Sequence, residues 1–369
     1  MNFAGLVPGD TEFKNLTESP PPGVGPYELT ESVPNREFVM EKNPEFEKLD
    51  IPDIPTGNVD KITTQIIKNA SQQAQDVLDN KLDYMQDPPP ADLKPTVLEQ
   101  ASDRYEEFTT SSTYYFFLNT RVAPFDDPLV REAVNTGIDK PALARLFAGE
   151  LAPGCTFIPP GFPGYDEAFD TTECPYGDPS QPPDVAAAQD LLKQAGAEGT
   201  QVTVYGNNDD PTDKVTQAYA DMLNEIGFDA EVEILDGGVY FQTIGNEKTA
   251  PQTGFANWFA DFPHPLNFYF LVDGDSIQPT NNQNFGNVED PKIDAEIDRL
   301  SESTETLQSH AADWAELDRY LIEPPQSYIA PYGHRKLAKF LSERMDYESA
   351  VFHPVYFNDY STFALKEGE

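Results

Sequence analysis

The sequence predicts an α/β protein whose main domain is a doubly wound sheet, and three observations carry that expectation. Helical and alternating segments take turns from Asp184 onward, two short capped helices stand ahead of them, and 38% hydrophobic residues with 12% aromatics over 369 residues suffice for a sizeable core in two or three domains. Residues 1 to about 50 are rich in Pro and Gly, with alternating stretches at Tyr27–Leu29 and Phe38–Met40 that read as strands. The run VDKITTQIIKNASQQAQDV alternates over Ile62–Ile67, turns helical through Ala70–Leu78, and is broken by DPPPADLKP.

The run NTRVAPFDDPLVREAVNTGIDKPALARLF, Asn119–Phe147, carries its own folding instructions. Asp127 stands at an N-cap, Pro128 takes the first helical position, where no amide hydrogen is needed, and Leu129, Val130, Ala133, Val134 and Ile138 trace one apolar face. Asp139 caps a second helix into which Pro141 fits, with Leu143, Leu146 and Phe147 inward. Farther on, Asp184 caps a helix that ends at Gly196, QVTVY (Gln201–Tyr205) is a strand, a helix from about Asp213 to Ile226 stops at Gly227, and AEVEIL (Ala230–Leu235) is a strand again. A strand over Thr253–Trp258, a helix from Asp290 and Pro291 to Ser301, a helix over Leu307–Ile322 and a tail of short strands from Ser327 to Leu365 complete the pattern. In such sheets ligands bind at the carboxyl ends of the strands.

Composition excludes several functions. With 64 acidic against 24 basic residues the formal net charge is −40, and no basic face is available for nucleic acid or an anionic membrane. The acid excess reads as a solvated surface suited to high salt, or as attraction for cationic ligands. No run of 18 apolar residues occurs, and the opening MNFAGLVPGDTEFK has neither the basic nor the apolar region of a signal peptide. GxSxG, HExxH and GxxxxGK[ST] are missing, Gly23 and Gly25 lack a dinucleotide loop's third glycine, and His264, His310, His334 and His353 are scattered, so no catalytic residue, metal site or cofactor is expected. Cys155 and Cys174, 19 positions apart in a loop rich in Pro and Gly, form no CxxC or zinc spacing and are open to a disulfide or to two free thiols.

Three runs carry a resemblance to a known family. PFDDPLVREAVNTGIDK resembles the signature of the extracellular solute-binding proteins of family 5, the peptide and nickel receptors of ABC importers; GVGPYELTESVPNREFVMEKNPEF (Gly23–Phe46) resembles that family's Gly and Pro turn, and NWFADFPHPLNF (Asn257–Phe268) its ligand-facing run. The resemblance implies a periplasmic-binding-protein-like α/β fold of type II, similar to cluster C. Two lobes joined by a hinge would close on ligand, with residues 1–122 as the remainder of an incomplete first lobe, 123–325 as the second lobe and 326–369 as a return to the first. It also favours the disulfide, which would stabilise a loop of this size by about 3 kcal/mol.

A peptide's α-ammonium needs a fixed carboxylate when it leaves water. By resemblance Asp261 supplies it, Trp258 walls the side-chain pocket, and Asn257, Phe259 and Phe262 carry weaker claims. The family's acid two positions after the aromatic is replaced here by Pro263 and His264, which loosens the ligand class. The bland alternatives are a turn cap for Asp261 and core packing for Trp258. The function implied is a monomeric, non-enzymatic receptor outside the membrane that captures peptides and delivers them to an ABC permease. Alternatives are a split or truncated piece of such a receptor, a receptor for nickel chelates, opines or sugars, and a secreted acid hydrolase.

Overall fold

The computed structural model describes residues 9–11, 20–34, 36–49, 51, 54–168, 174–353 and 357–368; most of the MNFAGLVPGDTEFK opening lies outside them. The chain divides into two compact units, Met1–Phe108 with Leu337–Glu369, and Thr109–Lys336. The chain therefore passes between units at 108/109 and 336/337, where the sequence reading placed its divisions at 122/123 and 325/326.

The first unit opens with β1 (Tyr27–Val33) and β2 (Glu37–Lys42), then α1 (Pro44–Glu47) and β3 (Lys61–Gln65); β1, β2 and β3 form an antiparallel three-stranded sheet. The helix α2 (Ala70–Leu78), β4 (Tyr84–Met85), α3 (Lys94–Ala101) and β5 (Tyr105–Thr109) follow, and Ala74, Val77, Met85, Val97, Ala101, Tyr105, Ala338 and Phe340 make the core.

In the second unit β6 (Ser112–Leu118) leads into α4 (Pro128–Gly137) and α5 (Lys140–Leu146). The two caps work as expected: Asp127 accepts from the Leu129 amide at 2.8 Å and Asp139 from the Ala142 amide at 2.7 Å, while Val130, Ala133, Val134 and Leu143 are buried. The Pro- and Gly-rich loop holds β7 (Leu151–Pro153) and α6 (Tyr165–Ala168). Then come α7 (Val185–Ala195), β8 (Gln201–Asn207), α8 (Thr212–Ile226), β9 (Asp229–Leu235), α9 (Gly237–Ile244), β10 (Thr253–Phe259), α10 (Leu266–Tyr269), α11 (Pro291–Ser301), α12 (Ala311–Ile322) and β11 (Ile329–Leu341). Gly196 and Gly227 end α7 and α8 with φ of 69° and 118°, left-handed values that cost glycine little. The strands β9, β8 and β10 run parallel, as the alternating pattern predicts; β10 then pairs antiparallel with β6, and β6 with the first part of β11. The end of β11 belongs to the first unit, where Phe340 pairs with Met85, and β12 (Phe352–His353) with β13 (Phe357–Asn358) closes the chain.

Three elements differ from expectation. The run STYYFFL is buried at every position as β6, and its lack of alternation concealed a strand covered on both faces. β11 is one strand of 13 residues rather than several short ones, because Pro331 and Gly333 are taken up in a bulge around Tyr332 instead of ending it. A 3₁₀ turn at Leu307–His310 precedes α12, with Ser309 bonding the Thr306 carbonyl and His310 held by Ser303 and Asp313.

Cys155 and Cys174 are joined by a disulfide with Cα atoms 6.0 Å apart. The loop between them is also held by the buried Asp318 of α12, which accepts from the Phe157 and Ile158 amides at 3.1 and 2.8 Å and from the Tyr269 hydroxyl. Two amides of a run too irregular for ladder bonding are thus satisfied by one carboxyl group. Burial raises that carboxyl to about 7.

Candidate functional site

The strand β10 delivers its last residues to the edge of the core. Asn257, Trp258 and Phe259 are half-buried, and they pair in register with Tyr114, Thr113 and Ser112 of β6. Alternation along a strand separates them. Asn257 and Phe259 share one face, where the Asn257 side chain meets the Tyr114 hydroxyl and the Phe259 ring stands edge-on to the Tyr114 ring at 5.9 Å. Trp258 takes the opposite face and meets Phe270 edge-on at 5.1 Å.

After Phe259 the Ala260 amide bonds the Ser111 carbonyl at 2.9 Å and the chain turns through Asp261–Pro265 into α10. The turn is closed by His264 N to Phe262 O and Asn267 N to His264 O, both 2.9 Å. Asn267 is 2% exposed, and its Oδ1 accepts from Trp258 Nε1 at 3.1 Å and from the Asp261 amide at 2.8 Å. The two leading candidates therefore share one buried oxygen. Asp261 is half-buried, and Phe262, 42% exposed, projects from the turn. His264 Nδ1 accepts from the Leu266 amide at 3.1 Å while its ring stands against Trp314; burial lowers its pKa, so it is neutral at pH 7.

The structure brings Asp261 and Trp258 together, sets Asn257 and Phe259 on the other face of the strand, and leaves Phe262 at the rim. Asn267 was not among the sequence candidates, although it lay inside the NWFADFPHPLNF run. Its signal is a buried carboxamide in the otherwise aliphatic and aromatic run of residues 266–270.

Other polar groups turn inward. The Asn281–Asn284 loop is structural in Asn282 and Asn284: Asn282 Nδ2 donates to Asn284 O at 2.7 Å, and Asn284 Nδ2 donates to Asp273 O and Val288 O. A cavity of about 350 Å³ at the start of β10, beside Asn119, Arg121, Lys248, Pro251 and Asn287, is lined by amides already bonded to one another or to backbone. The Lys140 ammonium is buried against the Gly154 carbonyl at 3.1 Å and pushed down to about 7, and His334, bonded to Ser112 O and Thr156, is pushed down to about 4 by burial. Among the described residues no group of three or more His, Cys, Asp or Glu is arranged to hold a metal ion, and no helix is long and apolar enough to cross a membrane.

A mixed α/β unit with a parallel core, and with its candidate residues at the carboxyl end of a strand, is an architecture that binds ligands at its strand ends. The profile of the bacterial extracellular solute-binding proteins of family 5 (middle region) matches residues 3–279, and the chain belongs to that family, one of binding proteins rather than enzymes. A glutathione-binding protein of Escherichia coli K12 is 27% identical over 248 residues, covering 65% of this chain and 45% of that relative. The chain thus matches less than half the length of such curated relatives. Among solved structures, a clavulanic acid biosynthesis oligopeptide-binding protein superposes with a TM-score of 0.80 at 22% identity over 98% of this chain and 66% of its own. The Helicobacter pylori periplasmic binding protein DppA in complex with the peptide STSA gives 0.70 at 19% identity, over 94% and 63%. These two likenesses establish the fold.

Proposed function

We propose that this chain is the ligand-capturing component of an ABC importer, acting outside the membrane as a receptor that grips a peptide by its amino terminus and passes it to the permease. The carrying observation is the pairing of Asp261 with Trp258 through Asn267 at the carboxyl end of β10. In this reading the Asp261 carboxylate takes the α-ammonium, the Trp258 ring walls the first side chain, and Asn257, Phe259 and Phe262 line the approach. A charge-assisted bond to a terminus common to all peptides gives affinity with little sequence preference. Family membership supports a solute receptor; peptide as the solute rests on the site and on relatives named for glutathione and peptides.

The test is a thermal-shift screen of tripeptide mixtures and glutathione against sugars and nickel chelates. Stabilisation should grow with peptide excess over Kd and vanish in Asp261→Ala, whose melting temperature without ligand stays at the parent value. A shift with sugars or chelates and none with peptides overturns the reading.

A further inference from the structure

We infer that Asn267 is the positioning residue of this site, holding Trp258 and Asp261 as one unit through a single carboxamide oxygen; its bearing on peptide affinity rests on the proposed function, while the positioning itself does not. Two donors converge on Oδ1, one from the indole and one from the main chain of the acid. A carbonyl oxygen has two lone pairs, and here both are used, which fixes the amide's orientation. Asn267 Nδ2 makes no hydrogen bond among the described residues, so the site uses the residue for its oxygen.

The location suits the task. Trp258 ends a strand and Asp261 sits in a turn, and nothing in β-pairing fixes either the rotamer of a strand-end indole or the direction of a turn residue. Asn267 stands on the next helix, is 2% exposed, and is flanked by the buried Phe268 and Tyr269. A side chain locked by packing thus sets the geometry of two that are half in water. Removing the oxygen frees the indole to rotate and leaves the Asp261 amide without its acceptor, so both should loosen together.

With Trp314→Phe, Trp258 is the sole indole of the chain. In that background Asn267→Ala should raise acrylamide quenching of Trp258 about twofold and shift its emission to the red, whereas Asn267→Asp, which keeps an oxygen at the same place, should restore the parent values. Unchanged quenching in Asn267→Ala, or no recovery in a folded Asn267→Asp, overturns the inference. If the alanine variant does not fold, the unsubstituted ¹⁵N-labelled chain decides: the Trp258 indole N–H should exchange at least about tenfold more slowly than a free indole, and an equal rate overturns the inference. With a tripeptide mixture, Asn267→Ala should weaken binding about tenfold and Asn267→Asp should recover it; unchanged affinity in Asn267→Ala counts against positioning. Peptide binding untouched by Asp261→Ala would defeat the peptide reading while leaving the fluorescence result on Asn267 standing.

Discussion

At the scale of single residues, the second unit places ionisable groups where water is absent, and their signs oppose one another. Burial holds His334 at about 4 against 6.5 in an exposed chain, so between pH 6.5 and 4 the unfolded chain takes up a proton that the folded one refuses, and stability falls as pH falls. Asp318 stands at about 7 against 3.8, so between pH 7 and 3.8 the folded state takes the proton first, and falling pH adds stability. Each shift corresponds to roughly 3–4 kcal/mol, and the two offset each other over most of the same window. Asp318→Asn removes one side of the balance. Its urea midpoint should fall more steeply from pH 6.5 to 4 than the parent's, and an equal or shallower slope would contradict the assignment. None of this was legible in the sequence, where His334 was one of four scattered histidines and Asp318 one of 64 acids. What distinguishes them is burial by residues distant in the chain. Asp261 and Trp258 were singled out because their run was distinctive, whereas the two bonds that join them to Asn267 appear only in the folded chain.

At the scale of elements, local signals were followed wherever the chain could satisfy itself locally. The caps Asp127, Asp139 and Asp184 each accept the amide bond their positions predict, and Gly196 and Gly227 stop their helices. Asp127→Ala should cost about 1 kcal/mol, read from urea unfolding; a loss within error would mean that the packing of α4 on α7 and α8 holds the helix end unaided. Signals failed where tertiary pairing overrides the local code. Tyr114–Phe117 lack the alternation of a half-buried strand, were not read as one, and lie in the strand between β10 and β11, while Pro331 and Gly333 sit in a bulge of one long strand where a tail of short strands was expected. The end of β10 shows both cases, since its strand was predicted almost to the residue and its coupling to α10 was not.

At the scale of the whole chain, charge is the dominant physical fact. A net charge of −40 stores self-repulsion that counterions screen, with a Debye length of about 10 Å at 0.1 M salt and about 30 Å at 0.01 M. The melting temperature should therefore rise as sodium chloride is raised from 0.01 M, and a flat response would show that the acids are far enough apart, or paired well enough, not to matter. The same field favours cationic ligands over anionic ones. The central claim is that Asp261 grips a free amino terminus, and calorimetry with one tripeptide mixture in two forms tests it most directly. The free-amine peptides should bind the parent chain, while the N-acetylated peptides, and Asp261→Ala with either form, should give no measurable heat of binding. Equal affinity for the acetylated and free forms would contradict it.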